Sequence, residues 1–458
     1  MRLLFPIPAY LAVGALWISR ACAAAIPRDS TSPVDLLSIL SNSANDPSLG
    51  DANLSSALSF IVSNLTDADS SRSPADLSVQ STLKKIDATF AKRPRDIISA
   101  AKAITAAGLI PPDILALLNG YQNQGLNSIH NKNPAPSGLN IYPTKATGDA
   151  PYSIPEDDLR AAIHIPSSFS YGRNGKKPLI LVPGTACPAG TTFHFNFAKF
   201  ASTVPNADVV WINIPGASLN DAQINAEYAA YAINYISALS NSHVAALGWS
   251  QGNLNIQWAL KYWPSTRGVL DDFIAMSPDF HGTIVRDVAC PLLGTLICTP
   301  SLWQQGWSTE FVHTIRRDGG DSAYVPTTTI YSTFDEIVEP MSGPHASALL
   351  GDSRGVGVTN NHIQTICPLK AAGGIYTHEG LLYNPLAWKL AADAFNNPGP
   401  GQIQRLDLDS VCAEALAPPL DLSDVVGTHG VLLVAVAELL AYLPKTTKEP
   451  LIAGYASG

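Results

Sequence analysis

The sequence predicts an α/β protein, with a mostly parallel central sheet, helices on both faces, and an N-terminal helical extension in front. Two observations predict it. From Pro178 onward, short apolar runs of strand length alternate with longer helical patterns, as buried parallel strands joined by crossover helices require. One of those runs, residues 243–247, leads directly into Gly248-Trp249-Ser250-Gln251-Gly252. A segment with Leu254 and Trp258 at helical spacing follows. With 458 residues, 46% of them apolar and only 14% charged, the chain can bury a large core.

Taken in order, residues 1–25 read as an export signal. Arg2 is the positive end, 3–17 are mostly apolar, and Ala21-Cys22-Ala23-Ala24-Ala25 offers small-residue cleavage sites. Secretion to an oxidising, extracellular location is therefore expected. Residues 26–140 read as a helical extension, for which a propeptide, a cap over the active site and a solubilising extension are all open. Apolar stripes recur at Leu36, Leu37 and Leu40, at Leu54, Leu58 and Ile61, at Leu83, Ile86 and Phe90, and at Ile97, Ala101 and Ile104, with a last helix at 112–118. Asn53 and Asn64 open glycosylation sequons. No chemical constellation lies in this part, and 131–151 reads as a linker. The main domain spans 149–458. Its strands are expected at 179–182, 208–214, 244–247, 272–276 and 327–332, with helices at 222–239 and 381–394. Residues 289–302, lying between two strands, would cover the C-terminal edge of the sheet. A helix at 430–443 is too short to span a bilayer comfortably and reads as a core helix; a mobile wall of the site is the alternative.

Strand, sharp turn and helix around Ser250 make the context of a nucleophile elbow. A serine hydroxyl needs a base, and the base needs a carboxylate to hold its tautomer. The acid is expected before the histidine in chain order. Asp335, after the last strand, is favoured; Asp279, after the strand at 272–276, is the alternative. Among the later histidines, His345 and His362 lie in polar surroundings and read as surface residues, and His429 opens the apolar C-terminal helix. His378, in a loop before a late helix, is the expected base. The oxyanion donors would be Gln251, next to the nucleophile, and Thr185, in the loop after the first core strand.

Six cysteines leave five once Cys22 departs with the signal. Cys290 with Cys298 and Cys367 with Cys412 are the expected pairs, leaving Cys187 free beside Thr185. The net charge of −9 and the absence of a basic stripe exclude nucleic acid as a partner. No His-Glu-X-X-His or zinc-spaced cysteine pair occurs, so no metal and no cofactor are expected.

Leu181-Val182-Pro183-Gly184-Thr185, the Ser250 pentapeptide, Ser277-Pro278-Asp279 with Gly282-Thr283, Trp303-Gln304-Gln305 and Asp335-Glu336-Ile337-Val338 together resemble the Candida antarctica lipase B-like family of fungal lipases. The likeness covers 149–458. It implies an α/β-hydrolase fold, secretion, and hydrolysis of carboxylic esters including triacylglycerols. It further implies Ser250, Asp335 and His378 as triad, Thr185 and Gln251 as oxyanion donors, and Trp249 on the alcohol side of the pocket. Asp279, Gln305, Ile337 and Val338 would line the acyl side, and Cys367–Cys412 would be a family disulfide. The chain departs from the pattern at Gly248, where the name-giving member has threonine, and at Cys187 and Pro188 in the oxyanion loop. The expected partner is a lipid or ester at a lipid–water interface, for a monomer with no membrane span. Two other readings stay open: an esterase or acyltransferase for short, bulky or polymeric esters, and an inactive hydrolase-fold binding protein.

Overall fold

The structure is a computed structural model that describes residues 78–94, 97–107, 109, 125–136, 138, 140–293 and 298–457. The expected export signal, the stripes beginning at Leu36 and Leu54, the sequons at Asn53 and Asn64, and the helix at 112–118 lie outside these residues.

Seven strands form one sheet: β1 (Ile163–His164), β2 (Lys177–Val182), β3 (Ala207–Ile212), β4 (Val244–Trp249), β5 (Leu270–Met276), β6 (Thr327–Tyr331) and β7 (Val358–His362). Their order is β1-β3-β2-β4-β5-β6-β7. β1 runs antiparallel to β3, and every other pair is parallel. The longer helices are α1 (Val79–Phe90), α2 (Ile97–Ala106), α3 (Ala222–Ser240), α4 (Gln251–Tyr262), α5 (Ile284–Leu293), α6 (Pro385–Asn396) and α7 (Leu422–Ala441). From β2 the chain steps to β3 on one side, then crosses back to β4 on the other. Such a reversal leaves a crevice beyond the C-terminal ends of the two central strands.

Alternation along β2 divides the core. Leu179 and Leu181 join a cluster with Leu247, Trp388 and Val431; Ile180 and Val182 join one with Ala246, Tyr231 and Trp258. Successive strand residues face opposite sides, so each face is covered by its own helices. Local chemistry sets the helix ends. Asp221 caps α3 by accepting from Gln223 N–H, and Asn241 closes it in the left-handed conformation. Asn384 caps α6, with Pro385 in the first turn.

The sequence expectation needs correction in three places. The C-terminal helix starts at Leu422, not 430, because Asp421 and Asp424 form a capping box there. At 20 residues it has the length and hydropathy to cross a bilayer, but 83% of its most apolar 18-residue window is buried inside the protein. His362 ends strand β7, which polar Thr359, Asn360 and Asn361 disguise in the sequence, and it is hydrogen-bonded to Thr333 and Thr365. The expected linker is fastened to the sheet edge. Asn131 Nδ2 donates to the Ala161 carbonyl at 2.8 Å, and Asn133 Nδ2 donates to that of Ile163 at 2.7 Å. Ile86 and Phe90 of α1 and Ala100 and Ile104 of α2 belong to the same buried cluster as Val431 and Leu432 of α7.

Candidate active site

β4 ends at Trp249 and α4 begins at Gln251, leaving Ser250 alone in the turn with φ 56° and ψ −133°. A side chain at positive φ is strained, and a strained serine between strand and helix is held out of both. Neighbouring glycines make room. A Cβ on Gly252 would stand 2.2 Å from the Val182 carbonyl oxygen, and one on Gly184 would stand 2.7 Å from Ser250 Cβ. Both glycines are therefore fixed by close approach, which brings the loop after β2 against the serine.

Ser250 and His378 open onto one cavity of about 900 Å³, its mouth included. Thr185, Trp249, Gln305, Ile337 and Val338 line it too, with Val431, Leu432, Ala435 and Leu439 of α7 as a long wall. Asp279 is fully buried and is not among the lining residues. Ile97 of α2 is among them, so the extension reaches the cavity. Thr283, Val285, Arg286 and Leu302 flank the disulfide-closed segment. Cys290 pairs with Cys298 and Cys367 with Cys412, at Cα separations of 5.7 and 5.3 Å, and Cys187 is free and buried.

His378 Nδ1 and Asp335 Oδ2 are 2.7 Å apart, with both side chains buried. Asp335 Oδ1 accepts from the N–H groups of Ile337 and Val338 at 3.1 and 2.7 Å, which keeps the carboxylate oriented. His378 Nε2 is buried and has no hydrogen-bond partner among the described residues. Burial opposes a charged imidazole at His378. The charge and hydrogen bond of Asp335, helped by Glu379 and Asp279, outweigh it and raise the pKa above the ordinary 6.5. Burial, with Asp335 adding, pushes Asp279 up to about 7.

The Thr185 hydroxyl donates to Gln251 Oε1 at 2.7 Å and lies 2.9 Å from Gln305 Oε1. Gln251 opens α4, where the first backbone N–H groups have no partner within the helix. The Thr185 hydroxyl thus faces the start of α4, the positive helix end that follows Ser250. Trp249 Nε1 donates to the His378 carbonyl at 3.0 Å, and its ring lies 5.0 Å from the imidazole.

No protein-family profile matches the chain. Lipase B of Pseudozyma antarctica is 33% identical over 317 residues, covering 67% of this chain and 86% of that protein. The crystal structure of Aspergillus fumigatus lipase B is 63% identical with a TM-score of 0.83, covering 92% of this chain and 99% of that one. The chain belongs to the Candida antarctica lipase B-like family of fungal lipases. Its sheet and crossover helices are those of an α/β-hydrolase. The Aspergillus structure covers a larger share of this chain than the first alignment does.

Sequence reasoning missed the polar cluster behind His378. Glu336 Oε2 accepts the His378 N–H at 3.1 Å, and His429 Nδ1 lies 2.6 Å from Glu379 Oε1. The available signal was position: Glu336 follows Asp335, Glu379 follows His378, and His429 interrupts an apolar helix.

Proposed function

We propose that the chain is a secreted serine lipase that hydrolyses carboxylic esters, triacylglycerols among them, through an acyl-enzyme on Ser250. The observation that carries the reading is the buried Asp335–His378 bond at 2.7 Å in a cavity wall that also holds the strained Ser250. His378 Nε2 accepts the Ser250 proton as the hydroxyl attacks the ester carbonyl. Asp335 holds the ring with Nδ1–H inward and stabilises the imidazolium. Thr185 and Gln251 donate to the developing oxyanion. His378 then returns the proton to the leaving alcohol, and a water activated by the same imidazole releases the acid. The largely apolar lining suits acyl chains, and the family relation supports the ester class. The N-terminal signal pattern and two cysteine pairs support export.

The test has two parts. A serine-reactive phosphonate should inactivate the wild type and leave Ser250→Ala unlabelled; labelling of both would remove the mechanism. Turnover should be faster on emulsified long-chain triglyceride than on soluble short-chain esters. The reverse preference would reassign the enzyme to the esterases of the same fold.

A further inference from the structure

The loop that carries His378 is held from several directions. The His378 N–H donates to Glu336 at 3.1 Å, and its carbonyl accepts from Trp249 Nε1 and from the Ser277 hydroxyl, both at 3.0 Å. The next residue, Glu379, is completely buried, and so is the histidine it meets. His429 Nδ1 lies 2.6 Å from Glu379 Oε1, while its Nε2 is hydrogen-bonded to the Tyr383 hydroxyl at 2.9 Å. The Phe90 ring of α1 stacks on the imidazole at 5.8 Å. His429 sits in α7, two residues before Val431, where the cavity wall begins. An acid and an imidazole buried without solvent exist only because they satisfy each other. No proton or bond of the serine mechanism passes through either, although the Glu379 charge helps raise the His378 pKa.

We propose that Glu379 and His429 are a positioning pair that ties the catalytic-base loop to the wall helix α7, so that His378 keeps its alignment with Asp335 and Ser250. The proposal rests on the serine-hydrolase reading above. The pair acts through the backbone: Glu379 is bonded to His378, and its anchored carboxylate fixes the peptide plane from which the imidazole projects. Because α7 also walls the cavity, substrate that presses on Val431 or Leu432 pulls on the same anchor. The electrostatics agree with the geometry. Burial works against an ionised Glu379, but the charge and hydrogen bond of His429 hold its carboxyl below the usual range. Burial, then the charges of Glu379 and Asp335, push Glu336 well above it. Glu379 also acts electrostatically on Tyr383 and Cys187, and Tyr383 is reached in turn by Tyr376 and, from α1, by Asp87.

The test compares wild type with Glu379→Gln, with His429→Gln, and with a double variant, Glu379→Met with His429→Phe, which removes the pair without stranding either partner. Single variants that strand a buried charge can fail to fold; the apolar double variant keeps the question open to measurement. Full-length proteins are titrated with the phosphonate to count active sites, then assayed on a soluble p-nitrophenyl ester, with the downfield His378 Nδ1 proton followed by NMR. Expected for the folded double variant is a fall in kcat of about tenfold per active site, with KM little changed and the proton resonance displaced. A double variant with wild-type kcat and an unmoved resonance would overturn the proposal and mark the pair as structural only. Absence of phosphonate labelling in the wild type would instead defeat the serine mechanism itself.

Discussion

At the scale of single residues, the proposed chemistry is divided among groups that each have one task and one physical support. Thr185 brings its hydroxyl to the side of Ser250 where Gln251 begins α4. Thr185→Ala should lower kcat by about a hundredfold, with KM little changed, because the lost donor acts on the transition state. Asp335→Asn should cost about 10⁴ in kcat, since the amide favours the wrong imidazole tautomer; initial-rate kinetics on a soluble ester checks both. The pH profile follows from His378. A raised pKa keeps the proton on to higher pH, and only the neutral imidazole can accept from serine. So kcat/KM should fall on acidification with a midpoint above 6.5, and Asp279→Asn should move that limb to lower pH, because Asp279 helps to hold the proton on His378. Ser250, Asp335, His378, Thr185 and Gln251 could be proposed from the sequence because chain order and strand-to-helix context constrain them. The Glu379–His429 pair was not, since two residues 50 positions apart meet only after α7 packs on the His378 loop.

At the scale of elements, the readable parts were those buried on both faces. β2, β3, β4 and β5 are apolar runs with no polar alternation, so sequence located them closely. β7 escaped because an edge strand with one neighbour can be polar, and β1 because two residues make no pattern. α7 was placed late because its first two turns contain Gly427, Thr428 and His429 and look unlike a helix; the capping box at Asp421 decides the start. Close approach at the elbow gives a prediction of its own. Gly252→Ala puts a methyl 2.2 Å from the Val182 carbonyl, so β2 and α4 must separate. Thermal unfolding should register about 1–3 kcal/mol of lost stability, and activity should fall with it.

At the scale of the whole molecule, the segment before the main domain was left open by the sequence as a propeptide, a cap over the active site or a solubilising extension. Ile97 lines the cavity and Phe90 covers His429, which favours the cap. Ile86, Phe90, Ala100 and Ile104 are all buried in the cluster that includes α7. Burying an Ile or Phe side chain contributes about 1.5–3 kcal/mol. A chain beginning at residue 141 should therefore melt at lower temperature than the chain beginning at residue 26, by differential scanning calorimetry. It should also turn over bulky esters relatively faster, because the cavity loses the Ile97 wall.

The claim on which the rest depends is that Ser250 carries the acyl group. A slowly deacylating ester, quenched in acid during turnover and analysed by intact-protein and peptide mass spectrometry, tests it directly. The expected result is one acyl mass per chain, located on the peptide that contains Gly248-Trp249-Ser250-Gln251-Gly252 and absent from Ser250→Ala. Continued turnover by Ser250→Ala, or an adduct on any other residue, would contradict the account.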